Sequence, residues 1–300
     1  MILIFTFYVI IAGVMIFGKT LGAYSTFSFL AAVRLIPAGI IFLFIDYLKH
    51  KKLKLPTFKS RDFVLLMAYC ATIFFVDATR LKGLSFIPSS NAALVSMMAP
   101  FIAVLLSWKF FGEHITRRKI GALCLGVIGV LPLVISHMSL DNESFMAMIF
   151  GYSFILLATL GIIISGMFAK YFIAKRGYRL FTITGFVMIG GGSLGLINSL
   201  LYDVWAPVPL SNFSVSVPLI CLLLVFHSLI AFPLYSYLVQ KYPITLVSFA
   251  QCIMPFLTAV IAWFLTGETI SYMFFASLCI LVLSLYVFYQ EELKEGLIKA

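Results

Sequence analysis

Long runs of apolar residues, separated by short polar breaks, fill nearly the whole chain. Ten runs are 17 to 25 residues long. A helix needs about 20 mainly apolar residues to cross a bilayer, so each run is long enough to do so. The pattern predicts ten spans, numbered one to ten in chain order, at residues 2–18, 25–46, 62–81, 88–110, 117–136, 146–170, 180–201, 217–239, 244–266 and 271–290.

The composition is consistent with lipid as the main solvent of this chain. Of 300 residues, 63% are hydrophobic and only 11% are charged, whereas soluble domains are about half apolar and a quarter charged. Too few polar residues remain to cover a soluble protein, so an all-α polytopic membrane protein is predicted. The N-terminal run has no basic segment before it and no small-residue cleavage site, so it is interpreted as span one rather than as a signal peptide.

The basic residues lie mostly in alternate loops. With a cytoplasmic N-terminus, 17 of the 21 Lys and Arg residues fall in cytoplasmic segments and three in outward segments. This bias predicts a cytoplasmic-membrane protein with both termini in the cytoplasm. The net charge of +10 therefore indicates contact with anionic lipid heads and not with nucleic acid. The five cysteines show no metal-ligand spacing, and neither a metal nor a cofactor is predicted.

One sequence pattern occurs twice, 155 residues apart. MMAPFIAVLLSWKFFGE, from residue 97, corresponds to IMPFLTAVIAWFLTGE, from residue 253. Each half has five spans, an odd number, so the second half is expected to lie inverted in the membrane. The predicted halves are residues 1–140 and 141–300. Inverted repeats are typical of transporters that hold substrate near the midplane between the halves.

The repeated residues have structural interpretations. Proline removes a backbone hydrogen bond and predicts a kink in its span, either a static bend or a pivot. Glycine permits the left-handed conformation that ends a helix, and the acid after it lies near the start of the next span, where the helix dipole favours a carboxylate. We therefore expect kinks at Pro100 and Pro255. We also expect two tight helical hairpins, one at Gly112 and Glu113 and one at Gly267 and Glu268.

The stretch LKGLSFIPSSNAALVSMMAPFIAVLLSWKFFGEHITRRKIGALCLGVIGV resembles a repeat of the drug/metabolite transporter superfamily, in its EamA-type branch. Lys19 in FGK, Arg34 in AAVRLIPAG and Lys170 in MFAKYF also resemble that family, whereas span ten lacks the usual glycines. The resemblance extends over nearly the whole chain. It implies a carrier that works by alternating access, with a central cavity lined by spans one, three, four, six, eight and nine.

Polar side chains within the spans are the candidates for substrate contact, because a charge in lipid is costly. Arg34 is expected either to anchor a carboxylate or phosphate or to form a structural ion pair. Asp77 is expected either to pair with Arg80, one helical turn on, at the outer mouth, or to bind a cationic amine or a proton. His227 is a candidate proton relay or a hydrogen-bonded core residue. The neutral candidates are Asn91, Tyr237 and Gln251.

These observations favour a secondary carrier for a small polar metabolite, either an amino acid or a derivative such as S-adenosylmethionine. The chain has no Walker A motif, so a proton or an exchange metabolite is the expected coupling partner. The alternative is an exporter of drugs or lipid-linked metabolites with the same fold. A membrane-embedded transferase would need acids and histidines clustered at one face, which the loops lack, so no enzyme is predicted. The sequence leaves the oligomeric state open, and a monomer is compatible with it.

Overall fold

The structure is a computed structural model, and it describes residues 2–51, 60–111, 116–135, 142–242, 247, 250–268 and 270–294. Two π-helical segments, Tyr171–Lys175 and Leu224–Ala231, continue α7 and connect α9 to α10. The helices are α1 (Ile2–Gly22), α2 (Phe27–His50), α3 (Ser60–Leu84), α4 (Ser89–Ser96), α5 (Ala99–Phe111), α6 (Arg117–Ile135), α7 (Asn142–Lys170), α8 (Leu180–Tyr202), α9 (Phe213–Leu223), α10 (Phe232–Lys241), α11 (Met254–Thr266) and α12 (Tyr272–Lys294).

The prediction of an all-α polytopic membrane protein is confirmed. Among the described residues, eight helical segments are long and apolar enough to cross a membrane, and α11 is a shorter apolar helix. The helix α6 occupies predicted span five. Spans four and eight are each one helical segment, as predicted, but neither is a regular α-helix. A turn at residues 97 and 98 lies between α4 and α5, and the π-helical segment Leu224–Ala231 lies between α9 and α10. Most of residues 244–249, at the start of span nine, lie outside the described residues, as do Gly112 and Glu113.

The helices α2 and α8 approach closely through facing glycines. A Cβ atom on Gly39 would lie 2.7 Å from the carbonyl oxygen of Gly185, and one on Gly185 would lie 3.0 Å from that of Gly39. Small residues bring helix backbones together in membranes, where packing contacts replace the hydrophobic effect as the driving force. The two glycines therefore fix the distance between α2 and α8.

Ionic contacts join the helices at the end of the bundle where α1 ends and α2 begins, here the α1–α2 end. Glu268 Oε1 lies 2.7 Å from Lys19 Nζ, and the Ser89 backbone N–H donates to Glu268 Oε2 at 3.2 Å. Gly267 ends α11 with a φ of 66°. The acid was expected to stabilise its own hairpin, but it contacts α1 and the start of α4, because the free N–H groups there attract a carboxylate.

A second set of contacts lies at the opposite end, where α2 ends and α3 begins, here the α2–α3 end. Asp62 Oδ1 accepts a hydrogen bond from Arg176 Nη2 at 2.8 Å. Asp46 Oδ2 accepts one from Thr182 Oγ1 at 2.9 Å and lies 3.5 Å from Arg179 Nη1. These contacts join the ends of α2 and α3 to the connection between α7 and α8.

The start of α6 and the residue Glu268 lie at opposite ends of α12. Arg118, at the start of α6, contacts Glu291 near the end of α12 at 3.4 Å. Glu268 precedes the start of the same helix, which is 23 residues long. At 1.5 Å per residue, α12 is about 35 Å long, enough to cross the hydrocarbon core. This arrangement is consistent with the predicted inversion of residues 141–300 relative to 1–140, which stays a prediction.

Candidate functional site

Two spans are interrupted at matching positions. Residues 97 and 98 separate α4 from α5, and a 3₁₀ turn at Gln251–Ile253 precedes α11. Pro100 and Pro255 are each the second residue of the helix that follows the interruption. Proline is favoured in a first helical turn, where its missing N–H has no partner to lose. The kinks predicted at these prolines are therefore breaks that lie just before them.

A cavity lies between these interrupted helices and their neighbours. It holds about 950 Å³ of empty space, including the part that is open to solvent. Within the described residues, its walls come from spans one, three, four, six, eight and nine, as the family resemblance implies, with Leu35 of α2 in addition. The wall includes Ser96, the last residue of α4 before the first interruption, and Gln251 of the second. Broken helices that face a cavity are typical of transporter binding sites.

One wall of the cavity is aromatic and comes from α1 and α10. It consists of Phe7, Tyr8, Phe232 and Tyr235. The rings of Phe7 and Tyr235 stack with centroids 5.8 Å apart and an interplanar angle of 24°. The Tyr8 hydroxyl donates to the carbonyl of Val247 at 2.5 Å, which fixes the orientation of its ring. Such a wall can stack on a planar ring or contact a cation.

A second wall carries four polar side chains that contact one another: Arg34, Asp77, Arg80 and His227. The Asp77 carboxylate accepts from Arg34 Nη2 at 2.6 Å through Oδ2 and from Arg80 Nη2 at 3.3 Å through Oδ1. The imidazole of His227 lies between the two arginines. Its Nδ1 is 3.2 Å from Arg34 Nη1, and its Nε2 is 2.6 Å from Arg80 Nη2. We call these four residues the arginine cluster.

The π-helical segment Leu224–Ala231 carries His227 into this cluster. The Phe232 backbone N–H donates to the carbonyl of His227, five residues back, instead of four. Pro233 follows and cannot donate to the carbonyl of Leu229 four residues before it, and its ring would clash with that carbonyl. The wider turn removes the clash. π turns of this kind are frequently found at functional sites.

The structure brings some of the sequence-predicted candidates together and separates others. Asp77, His227 and Gln251 line the cavity, and Arg34 lies behind Asp77 without lining it. Asn91 lies elsewhere, with its amide donating to the Tyr152 hydroxyl at 3.2 Å.

Tyr237 also lies away from the cavity, and its side chain is exposed at the outer surface of the bundle. It lies two positions after Tyr235, which does line the cavity. On an α-helix two residues correspond to about 200° of rotation. Of the two tyrosines, the sequence-based choice was therefore the one on the wrong face.

Arg80 is the main site residue that the sequence prediction missed. One of the two alternatives for Asp77, an ion pair with Arg80, is formed, with Arg80 Nη2 3.3 Å from Asp77 Oδ1. The sequence put that pair at the outer mouth, because it predicts that span three ends at residue 81. The helix α3 continues to Leu84, and Arg80 is buried and lines the cavity. The available signal was the i, i+3 spacing, which puts both side chains on one helix face.

Comparison with known proteins decides the family. Residues 1–135 and 149–290 each match the EamA-like transporter family, and the two matches take in most of the chain. The chain belongs to the EamA-like transporter family. This EamA-like transporter has two family matches, one in each predicted half.

Several relatives match this EamA-like transporter over most of its length. An S-adenosylmethionine/S-adenosylhomocysteine transporter of Chlamydia trachomatis is 26% identical over 276 residues, 89% of this chain and 82% of the relative. A transporter of the same name from Chlamydia muridarum is 24% identical over 270 residues, 89% of this chain and 84% of the relative. A WAT1-related chloroplast protein of Arabidopsis thaliana is 25% identical over 86% of this chain and 62% of its own.

A solved structure shares the fold. A crystal structure with 15% sequence identity covers 96% of both chains and superimposes with a TM-score of 0.67. At this identity the likeness concerns the fold alone. It supports the helix arrangement in which the cavity is formed.

Proposed function

We propose that this EamA-like transporter is a secondary carrier for an adenosyl amino acid, S-adenosylmethionine or S-adenosylhomocysteine. The observation that carries the proposal is the pairing of an aromatic wall with the arginine cluster in one cavity. The names of the two Chlamydia relatives support the same substrates. An adenosyl amino acid has a planar base at one end and a carboxylate at the other.

The two walls match these chemical groups. The aromatic rings of Phe7 and Tyr235 suit stacking with adenine, and a sulfonium cation is attracted to the face of an aromatic ring. A guanidinium group suits a carboxylate, because hydrogen bonds between charged partners are shorter and stronger than neutral ones. Between them, Gln251 lines the cavity without a hydrogen-bond partner among the described residues. Its amide is positioned to bond the ribose or the amino group.

The ionic contacts at the two ends of the bundle support alternating access. In our proposal, Glu268 with Lys19 closes the α1–α2 end, and Asp62 with Arg176 closes the α2–α3 end. One set of contacts breaks while the other stays formed, so the cavity becomes accessible from each side of the membrane in turn. Following the positive-inside bias of the sequence, the α2–α3 end faces the cytoplasm and the α1–α2 end faces outward across the cytoplasmic membrane.

We propose exchange as the coupling mode. S-adenosylmethionine and S-adenosylhomocysteine differ by one methyl group and one positive charge, so a single cavity accommodates both. The gradient of one compound, as it leaves through the carrier, then drives the uptake of the other compound, and ATP is not required. In this scheme the carrier functions as a monomer, because the cavity walls come from one chain.

Counterflow in proteoliposomes tests the function. Purified protein is reconstituted into vesicles that contain unlabelled S-adenosylhomocysteine, and radiolabelled S-adenosylmethionine is added outside without ATP. We expect transient accumulation above equilibrium and saturation with substrate concentration. Vesicles that contain methionine in place of S-adenosylhomocysteine serve as the control. Uptake that is equal in both preparations, or linear with concentration, would contradict an exchanging carrier for these substrates.

A further inference from the structure

The two arginines of the cluster are held very differently. All three guanidinium nitrogens of Arg34 are in contact: Nε donates to the carbonyl of Leu30 at 3.1 Å, Nη1 lies against His227 and Nη2 bonds Asp77. Its side chain is 2% exposed and does not line the cavity. Arg34 is thus in contact with protein atoms at all three nitrogens.

Arg80 makes its contacts through a single atom. Nη2 alone approaches both Asp77 and His227, whereas Nε and Nη1 have no hydrogen-bond partner among the described residues. Its side chain is 9% exposed, and it lines the cavity. A buried guanidinium with unsatisfied donors is costly unless another group accepts from them. The two free nitrogens are therefore available to a ligand in the cavity.

The charge of the cluster indicates which ligand group fits. Two guanidinium groups face one carboxylate, so the cluster is positive by one charge with a neutral His227 and by two with a protonated one. A neutral imidazole accepts at one nitrogen only. One of the two arginine contacts to His227 therefore lacks a hydrogen bond. A ligand carboxylate would supply both the missing negative charge and the missing acceptors.

The same geometry disfavours a cationic group at Asp77. Both of its carboxylate oxygens already accept from guanidinium nitrogens, one from Arg34 and one from Arg80. An amine that bound there would have to displace an arginine and would add charge to a cluster that is already positive. The alternative from the sequence, in which Asp77 binds a cationic amine, is therefore not the arrangement that this cavity favours.

We infer that Arg80 binds the carboxylate of the substrate, through one of its two free donors, Nε or Nη1, and so selects for an intact amino-acid end. This inference rests on the proposed function and adds the group that determines specificity. Arg34 has a positioning role: it holds Asp77, and Asp77 in turn orients Arg80 toward the cavity. Adenosyl compounds without the carboxylate lose this contact and bind through their ring alone.

Binding of two ligands to purified protein tests the inference. S-adenosylhomocysteine carries the amino-acid end, whereas 5′-methylthioadenosine keeps the adenosyl thioether and lacks that end. For Arg80→Gln, we expect the Kd of S-adenosylhomocysteine to rise about 10- to 100-fold, the range of one charge-assisted contact. The Kd of 5′-methylthioadenosine should stay within about twofold. Isothermal titration calorimetry in detergent measures both constants.

Further variants separate recognition from structure. Arg80→Lys keeps the charge and loses the fixed directions of the guanidinium donors. It should therefore weaken the binding of S-adenosylhomocysteine less than Arg80→Gln does and leave the binding of 5′-methylthioadenosine unchanged. If Arg80→Gln is not recovered as monodisperse protein, Arg80→Lys is the variant that tests the inference. Arg118→Gln, which removes an exposed arginine of α6, is the matched control and should change neither constant.

The outcomes distinguish the inference from the function on which it rests. If the Kd values of both ligands rise by the same factor in the Arg80 variants, Arg80 has a structural role and the inference is wrong. Equal affinity of the unchanged protein for both ligands would also contradict the inference, while the proposed function would stand. If the unchanged protein binds neither ligand, the proposed function fails and the inference fails with it.

Discussion

Replacement of Asp77 by Asn should destabilise the protein, because it removes the one negative charge between two buried arginines. The Asp77–Arg34 contact is 2.6 Å long, and the two side chains are 4% and 2% exposed. Arg34 does not line the cavity, so its guanidinium cannot be hydrated when Asp77 is lost. Breaking a buried pair on one side costs about 3–5 kcal/mol. The contact to Arg80 adds less, since it is longer, at 3.3 Å, and Arg80 reaches the cavity.

Equilibrium unfolding in mixed micelles measures this loss. At about 1.4 kcal/mol per factor of ten, 4 kcal/mol lowers the folding equilibrium constant by about three orders of magnitude. Asp203→Asn is the matched control, because Asp203 accepts from the neutral Thr26 hydroxyl and is only partly buried. We expect the control to lose about 1 kcal/mol, the value of an ordinary hydrogen bond.

A double variant tests the electrostatic origin of the effect. Asp77→Asn with Arg34→Gln removes one charge of each sign and returns the cluster to its original net charge. The double variant should lose clearly less stability than the sum of the two single variants, which is the sign of direct coupling. If Asp77→Asn destabilised no more than Asp203→Asn, or if the losses added without coupling, the assignment of a buried ion pair would be wrong.

Two further predictions concern helix packing and the α1–α2 end. Gly39→Ala should lower the free energy of unfolding by about 1–3 kcal/mol, because the added Cβ would clash with the backbone of α8. The control Gly121→Ala adds a Cβ with nothing within 4 Å and should leave the thermal unfolding temperature in detergent unchanged. Equal shifts in the two variants would refute the close contact. Glu268→Gln should weaken the contact to Lys19 by about 1 kcal/mol, or about fivefold in the closing equilibrium. Thiol labelling of Gln251→Cys from outside should then rise by a similar factor, and an unchanged rate would contradict a closing role for Glu268.

The helices could be predicted from the sequence because each apolar run matches the thickness of a bilayer. What could not be predicted is where a helix breaks. Proline at residue 100 or 255 signals only a missing N–H, which is equally compatible with a kink and with the start of a new helix. The π turn at Leu224–Ala231 depends on the clash between Pro233 and Leu229, and it leaves no periodic signal in the sequence.

The candidate site was predictable to the extent that charge within a span is costly. That rule identified Asp77 and His227, which both line the cavity. It did not identify Arg80 as a cavity residue. The predicted end of span three, at residue 81, is three residues before the end of α3, so Arg80 was placed at the membrane surface and not deep within the span. Neutral residues carried no such signal: the choice of Tyr237 over Tyr235 required the rotation of α10, which packing with its neighbours determines.

The central claim is that one cavity is reached from both sides of the membrane in turn, and cysteine labelling tests it most directly. The five native cysteines are replaced, and Gln251→Cys places a single thiol in the cavity wall. A membrane-impermeant maleimide is then applied to right-side-out and to inside-out vesicles. The account predicts labelling from both sides, slowed on each side by S-adenosylhomocysteine. Labelling from one side only, or labelling that the ligand does not slow, would contradict it.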